Sequence, residues 1–263
     1  MLCQEDSGFP YSLDYRIGFG LITGDRLNPP SLKSPISLTL SSDLKIMVFS
    51  VGIMRNFYLK STLSSIVVWG SVWAMGELSL GHILHIIGFP GLAGFIMFPF
   101  ALAMMIRVYR ETALRWAVLA SAVVAAGLKL LNLFFPAPNP FAVINPSLAI
   151  LGEGLAVAAL FLPMGLRSTG IRRLAAIGLT ALAWRGIYAC LVSALSISFT
   201  FPSVLSMGSL QIFSFFILES LGNTVLIFPG FQLIERAGLP RLHRTHPAAA
   251  LILTAAAAAQ ILF

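Results

Sequence analysis

The stretch RVYRETALRWAVLASAVVAAGLKLLNLFFPAPNP, residues 107–140, decides the class of fold. It opens with the three arginines Arg107, Arg110 and Arg115, continues as an apolar run, and ends in a proline-rich loop without lysine or arginine. A helix needs about 20 mostly apolar residues to cross the hydrocarbon core of a bilayer. Residues 112–135 are therefore predicted to form a membrane-spanning helix.

The composition of the whole chain agrees with this stretch. Of 263 residues, 57% are hydrophobic and only 10% are charged, and the mean hydropathy is +0.89. Soluble domains carry about 25% charged residues. The apolar content excludes a disordered chain, and two cysteines exclude a disulfide scaffold. The predicted fold class is an all-α, polytopic bundle of membrane helices whose first partner is the lipid bilayer.

Further apolar runs predict six core spans within residues 55–240. These spans are residues 61–81, 91–107, 112–135, 141–166, 174–199 and 203–234. A seventh apolar segment, 247–263, is short and rich in alanine. It is predicted as an additional C-terminal helix that crosses the membrane, lies on its surface or docks as a tail.

Basic residues occupy every second connection between the predicted spans, and the other connections have none. The basic connections hold Arg55, Lys60, Arg107, Arg110, Arg115, Arg167, Arg172, Arg173, Arg236, Arg241 and Arg244. Lysine and arginine accumulate in cytoplasmic loops. The pattern therefore predicts a multi-pass protein of the inner, cytoplasmic membrane with a cytoplasmic N-terminus. It also explains the net charge of +7 without nucleic-acid binding.

Residues 1–46 differ from the rest of the chain. They hold four Lys/Arg and five Asp/Glu, with no apolar core of the kind that a signal peptide has. Met47 and Met54 stand shortly before the first apolar run. We expect residues 1–46 to be a poorly ordered extension or the result of a start codon placed too far upstream.

Small residues recur at four-residue spacing in several predicted spans. The pairs are Ser61/Ser65, Gly70/Ala74, Ala122/Ala126 and Gly154/Ala158. Such faces allow membrane helices to approach closely. They are expected to pack within the chain, or alternatively to receive a helix of a partner.

Three residues at the end of the first predicted span form a candidate metal site. His82 and His85 lie three residues apart and share one face of a helix, with Glu77 one turn before them. Two imidazoles and a carboxylate are ligands that transition metals accept. The alternative is a polar helix end at the membrane interface.

A second candidate set lies where the third span ends and the fourth begins. Lys129, Asn132 and Asn145 are polar residues at membrane depth, where such residues are costly and frequently functional. Pro146 is expected to break the helix and to free backbone groups that suit a small polar ligand. Outward snorkelling of Lys129 and a local kink at Pro146 are the alternatives.

A third set lies in the middles of spans four to six. Glu153, Arg185 and Glu219 fall within a few residues of one depth, with Asn223 one turn after Glu219. A charge at that depth needs a partner. The three charged residues are predicted to form one buried cluster, which is either a structural ion pair or a polar site for a substrate.

The motifs of common enzymes are absent from the sequence. It contains no P-loop, GxGxxG or GxSxG motif, and no aspartate after residue 46. A role other than catalysis is therefore favoured, and no cofactor is indicated.

Three segments carry a resemblance to a known family. They are residues 81–94 with GHILHIIG and GLAG, residues 145–154 with NPSLAILGEG, and residues 219–223 with ESLGN. In a six-span core with a cytoplasmic N-terminus, they resemble the substrate-binding S component of energy-coupling factor (ECF) transporters. The resemblance implies capture of a small solute from outside and a transmembrane coupling subunit with ATPases as partners. The small-residue face of span one is similar to the surface that meets that subunit.

Two functions are thus expected from the sequence. The first is a transport component that binds a small polar solute or ion from the extracytoplasmic side, through Lys129, Asn132, Asn145, Glu153, Arg185, Glu219 and Asn223. The alternative is a membrane enzyme, or a metal- or haem-binding protein, that uses His82, His85 and Glu77.

Overall fold

The computed structural model describes residues 42–87, 92–134, 140–198, 208–237 and 246–262. The side chains of residues 42–57, 82, 85, 87, 92–93, 198, 233–237, 246–247 and 260–262 are outside this description. The chain divides into two units, Met1–Lys45 and Ile46–Phe263. Of the first unit, only residues 42–45 are described, so the prediction for residues 1–46 lies almost entirely outside the described residues.

The described part of the chain is helical, without a strand. The α-helices are α1 (Ser42–Ile87), α2 (Leu92–Thr112), α3 (Arg115–Leu130), α4 (Phe141–Ala156), α5 (Leu162–Met164), α6 (Gly170–Ser198), α7 (Ser209–Phe213), α8 (Glu219–Ala237) and α9 (His246–Leu262). A 3₁₀ turn, Leu131–Phe134, follows α3. Two π-helical turns, Val157–Phe161 and Ser214–Leu218, join α4 to α5 and α7 to α8.

Five stretches of the described helices are long and apolar enough to cross a membrane. They are Tyr58–Gly81, Arg115–Phe134, Phe141–Met164, Gly170–Ile197 and Ser209–Gln232. They correspond to the predicted spans one, three, four, five and six. The all-helical, membrane-protein character predicted from the sequence is therefore confirmed, and the count of six core spans plus a seventh stays a prediction.

The two remaining predicted spans are helices that do not meet the same criterion. The predicted span 91–107 corresponds to α2, a 21-residue helix whose last turns carry Arg107, Arg110 and Glu111. The predicted segment 247–263 corresponds to α9, whose apolar part, Ala248–Ala259, is shorter than a span. This helix packs against α3 and the 3₁₀ turn after it.

Helix α1 begins earlier than the apolar run that identified it. It extends from Ser42 to Ile87 as one helix of 46 residues, because no proline interrupts the sequence between these residues. It ends at Ile87, directly before the sequence Gly88-Phe89-Pro90. The residue before a proline disfavours the helical conformation.

The helices pack through small residues. Helix α4 lies between α3 and α6, α6 packs on α8, and α2 contacts α3 and α8. A Cβ added at Gly154 of α4 would lie 2.5 Å from Cβ of Ala122 in α3. A Cβ added at Gly70 of α1 would lie 2.8 Å from the Ser121 carbonyl oxygen. Close approach of helices in membranes needs such positions.

The small-residue faces are therefore used within the chain. Ser65, Ala74, Ala122, Ala126 and Ala158 are all buried. The expectation of intramolecular packing is confirmed. The alternative, that the face of span one receives a partner's helix, is wrong for Ser65 and Ala74, because other helices of the chain already cover them.

Large apolar side chains point outward along the membrane-length helices. Examples are Val123, Leu155, Leu179, Leu221 and Val225. An outward apolar surface is costly in water and suits contact with lipid chains.

Candidate functional site

A cavity of about 540 Å³ opens between the helices. Its walls come from the second half of α1, the start of α2, the end of α3 with the 3₁₀ turn after it, α4 from Ala142 to Glu153, the second half of α6, and the π-helical turn before α8. These parts of the helices adjoin residues 88–91, 135–139 and 199–207, and none of these connections contains lysine or arginine. The cavity thus lies at the end of the bundle opposite the basic connections.

The polar lining of the cavity comes from all three candidate sets. Lys129, Asn132, Asn145 and Glu153 all line it, and so does Glu77. The structure therefore brings together four of the seven predicted substrate-binding residues and one of the three predicted metal ligands.

Several polar atoms of these lining residues have no partner. Oδ1 of Asn132, Oδ1 of Asn145, Oε2 of Glu153 and Nε1 of Trp184 are buried and make no hydrogen bond within the described residues. Buried polar atoms in proteins are almost always hydrogen-bonded, so each exception needs an explanation. Four such atoms around one cavity are explained by a ligand or by water within it.

The expected helix break at Pro146 is wrong, because α4 continues through this proline. The predicted release of a backbone carbonyl group still follows from the chemistry of proline. Proline has no N–H to donate to the carbonyl four residues earlier, which here belongs to Ala142. Ala142 and Pro146 both line the cavity, so one residue of the wall has a carbonyl group without its usual helical donor.

Three aromatic rings also line the cavity. Trp184 and Tyr188 lie one turn apart on α6, and their ring centroids are 6.5 Å apart. Phe215 lies 6.3 Å from Trp184 and 6.0 Å from Tyr188. The sequence analysis missed this aromatic wall. The four-residue spacing of Trp184 and Tyr188, on either side of Arg185, is the pattern in the sequence that could have predicted it.

Arg185 lies directly behind the aromatic wall and is wholly buried. Its guanidinium carbon is 4.4 Å from the centroid of Trp184 and 5.6 Å from that of Phe215. Nη1 donates to the Ala181 carbonyl oxygen at 2.9 Å and to Oγ of Ser220 at 3.3 Å. Nη2 donates to Oε2 of Glu219 at 3.3 Å. The guanidinium thus orients two rings of the wall while it joins α6 to α8.

Asn223 completes the surroundings of Arg185. With its amide oxygen turned toward the guanidinium, Asn223 accepts hydrogen bonds from Nη1 at 3.2 Å and Nη2 at 3.1 Å. Its amide nitrogen then donates to the Phe95 carbonyl oxygen at 2.8 Å. This orientation is preferred because the opposite one places donors against donors.

The predicted cluster of Glu153, Arg185 and Glu219 is only half formed. Arg185 and Glu219 make a salt bridge of 3.3 Å, whereas Glu153 makes none within the part of the chain that the structure describes. The prediction used depth along the helices, which says nothing of the direction in which each side chain points. Glu153 faces the cavity, and Arg185 faces α8.

A glycine separates the ion pair from the cavity. Gly94 lines the cavity, and a Cβ added to it would lie 3.0 Å from Oε2 of Glu219. Arg185, Glu219 and Asn223, three of the predicted substrate-binding residues, are therefore placed behind the wall rather than in it.

The candidate metal ligands are described in part. Glu77 accepts a hydrogen bond of 3.3 Å from Nε1 of the buried Trp73. His82 and His85 lie in α1, but their side chains are outside the described residues, so the metal site stays a prediction. Among the described side chains, no three histidine, cysteine, aspartate or glutamate residues are grouped to hold a metal ion.

Lys129 is the one lysine of the cavity wall. It lies close enough to Glu77 for the two charges to attract each other, and Glu77 is likewise within electrostatic range of Glu153. The site therefore combines two carboxylates, one ammonium group, two side-chain amides and three aromatic rings.

Comparison of the chain with protein-family models, with curated proteins and with solved structures gives no match.

Proposed function

We propose that this protein is a membrane transport component that binds a small polar solute in the cavity beside Glu153. The observation that carries the proposal is the set of unpartnered buried polar atoms around a space of about 540 Å³. Binding sites for small molecules have about this volume and combine apolar walls with a few convergent polar groups.

The side from which the solute enters follows from the charges. Arginine-rich connections lie at the opposite end of the bundle, and these connections favour the cytoplasm. We therefore place the cavity at the extracytoplasmic face of the inner membrane. In this topology α2 is the second of six spans, since its 21 residues extend about 32 Å.

The architecture suits binding of a solute from one side more than a continuous path for the solute through the bundle. The hydrophobic core buries Phe98, Met105, Val118, Val157 and Phe161 between the cavity and the basic end of the bundle. A site that is open at one end only must change shape, or act with a partner, to release its solute on the other side. This requirement agrees with the resemblance to S components, and we propose a coupling subunit with ATPases as the partner. Its contact surface must exclude Ser65, Gly70 and Ala74 of the small-residue face of α1, which are buried within the chain, whereas Ser61 of that face is exposed.

The proposal is tested by purification from the native membrane in mild detergent. Mass spectrometry of the material that denaturation releases should identify a small polar molecule at about one copy per chain. An ATPase and a second membrane protein should co-purify. Recovery of the protein alone and without any small molecule contradicts the proposal.

The same preparation tests the alternative function, a membrane enzyme or a metal- or haem-binding protein. One equivalent of a transition metal, or the absorbance of haem, that disappears in Glu77→Gln would favour the membrane enzyme or metal protein built on His82, His85 and Glu77. The absence of both from a preparation that holds an organic solute favours transport.

A further inference from the structure

We propose that the cavity selects small organic cations, namely an ammonium or guanidinium group on an apolar or aromatic body. This inference rests on the proposed function and names the class of solute. It follows from three independent properties of the wall: its charge, its unpartnered hydrogen-bonding atoms and its aromatic faces.

The charge of the wall favours a cation. When all three groups are ionised, Glu77 and Glu153 carry two negative charges and Lys129 one positive charge, so the wall sums to −1. Arg185 acts electrostatically on Glu153 as well, but Glu219 pairs with it behind the wall. Adding this pair therefore leaves the sum at −1. A carboxylate as buried as that of Glu153, which is 4% exposed, is costly without a positive partner. A monovalent cation brings the sum to zero.

The unpartnered atoms favour a hydrogen-bond donor. Three of them, Oδ1 of Asn132, Oδ1 of Asn145 and Oε2 of Glu153, are acceptors, and only Nε1 of Trp184 is a donor. Ammonium and guanidinium groups carry several N–H donors and no acceptor, so they complement this set.

The aromatic wall favours a cation with an organic body. The guanidinium of Arg185 already lies over one face of Trp184 and of Phe215. The ring surfaces of Trp184, Tyr188 and Phe215 that line the cavity bind apolar groups by burial, and an open ring face attracts positive charge through the ring quadrupole. A bare metal ion would contact only a small part of the wall of a cavity of about 540 Å³, since metal–oxygen bonds extend about 2–2.6 Å. An organic cation reaches both the carboxylates and the rings.

Three probes of the same size separate charge from shape. Phenethylammonium is a cation, 2-phenylethanol is its neutral counterpart, and phenylacetate is its anionic counterpart. The full-length protein in detergent, freed of retained solute, is titrated with each probe while its thermal unfolding is followed. We expect phenethylammonium to raise the unfolding temperature saturably at millimolar concentration, and the other two probes to have little effect.

Variants of the charged residues locate the effect. Glu153→Gln keeps the shape of the side chain but should weaken the apparent affinity for phenethylammonium about tenfold or more. Lys129→Gln removes a repulsive charge and should leave this affinity unchanged or tighten it. Glu111→Gln is the matched control, because Glu111 lies about 25 Å along α2 from Gly94, next to Arg107. It should bind like the parent.

Each outcome decides the assignment. Stronger stabilisation by phenylacetate, equal stabilisation by all three probes, or none by any of them overturns the selection of cations. So does a loss of affinity in Glu111→Gln equal to that in Glu153→Gln. The proposed function is decided separately by the molecule retained from the native membrane. A retained anion would leave solute binding in place and reject only the class named here.

Discussion

Nη2 of Arg185 lies 3.3 Å from Oε2 of Glu219, and the two side chains are buried to different extents. The arginine side chain is wholly buried, whereas that of the glutamate is 18% exposed. The pair joins α6 to α8 directly behind the rings of Trp184 and Phe215. The shape of the aromatic wall therefore depends on an ion pair that does not itself line the cavity.

Arg185→Ala should destabilise the protein strongly. It removes the cation that Glu219 pairs with and the donors for Ser220 and Asn223, and it leaves a void behind Trp184. Removing one partner of a buried pair costs about 3–5 kcal/mol. Glu219→Gln should cost less, because an amide oxygen still accepts from Nη2 and the side chain is partly exposed. Thermal unfolding in detergent measures both, and an Arg185→Ala variant as stable as the parent would refute this role.

Gly222→Ala should loosen the contact between α8 and α2. A Cβ at Gly222 would overlap the ring of Phe95, and overpacking of this kind costs about 1–3 kcal/mol. Phe95→Leu in the same chain should restore part of the loss, because the shorter side chain makes room. Gly230→Ala is the control on the same helix, since nothing lies within 4 Å of a Cβ there. Equal unfolding temperatures for the two alanine variants would contradict the close approach.

Much of this fold could be predicted from the sequence, because the bilayer imposes length and polarity on each span. Five predicted spans coincide with membrane-length helices. The helical start at Ser42 was not predictable from hydropathy, since residues 42–57 continue the helix without the same apolar density. Helix α2 differs in the other direction. It was predicted as a span, but the charged residues at its end lower the mean hydropathy of the helix.

The candidate site was predicted in composition but not in geometry. Polarity at membrane depth identified Lys129, Asn132, Asn145 and Glu153 one by one. Which of the polar residues face a common space depends on the rotation of each helix about its axis, and spacing within one helix does not fix that rotation relative to the next. For this reason Glu153 was assigned to Arg185, although it lines the cavity instead.

The predicted topology is tested by thiol labelling of intact cells, in a chain whose own cysteines, Cys3 and Cys190, are replaced by serine. Ala113→Cys and Ile171→Cys lie beside the basic connections and keep every arginine. They should react only after the membrane is opened. Phe134→Cys and Ala142→Cys, at the cavity end, should react in intact cells. All four residues are exposed. Labelling of Ile171→Cys from outside would contradict the orientation.

The most direct test of the cavity as a solute site is native mass spectrometry of two tryptophan variants purified from their own membrane. Ala149 lines the cavity, so Ala149→Trp fills it. Leu182, on α6, has an exposed side chain, so Leu182→Trp adds the same ring without entering the cavity. The parent and Leu182→Trp should each retain one small polar molecule per chain, and Ala149→Trp should retain none. The same small molecule on all three proteins, or on none of them, would contradict the assignment of this cavity.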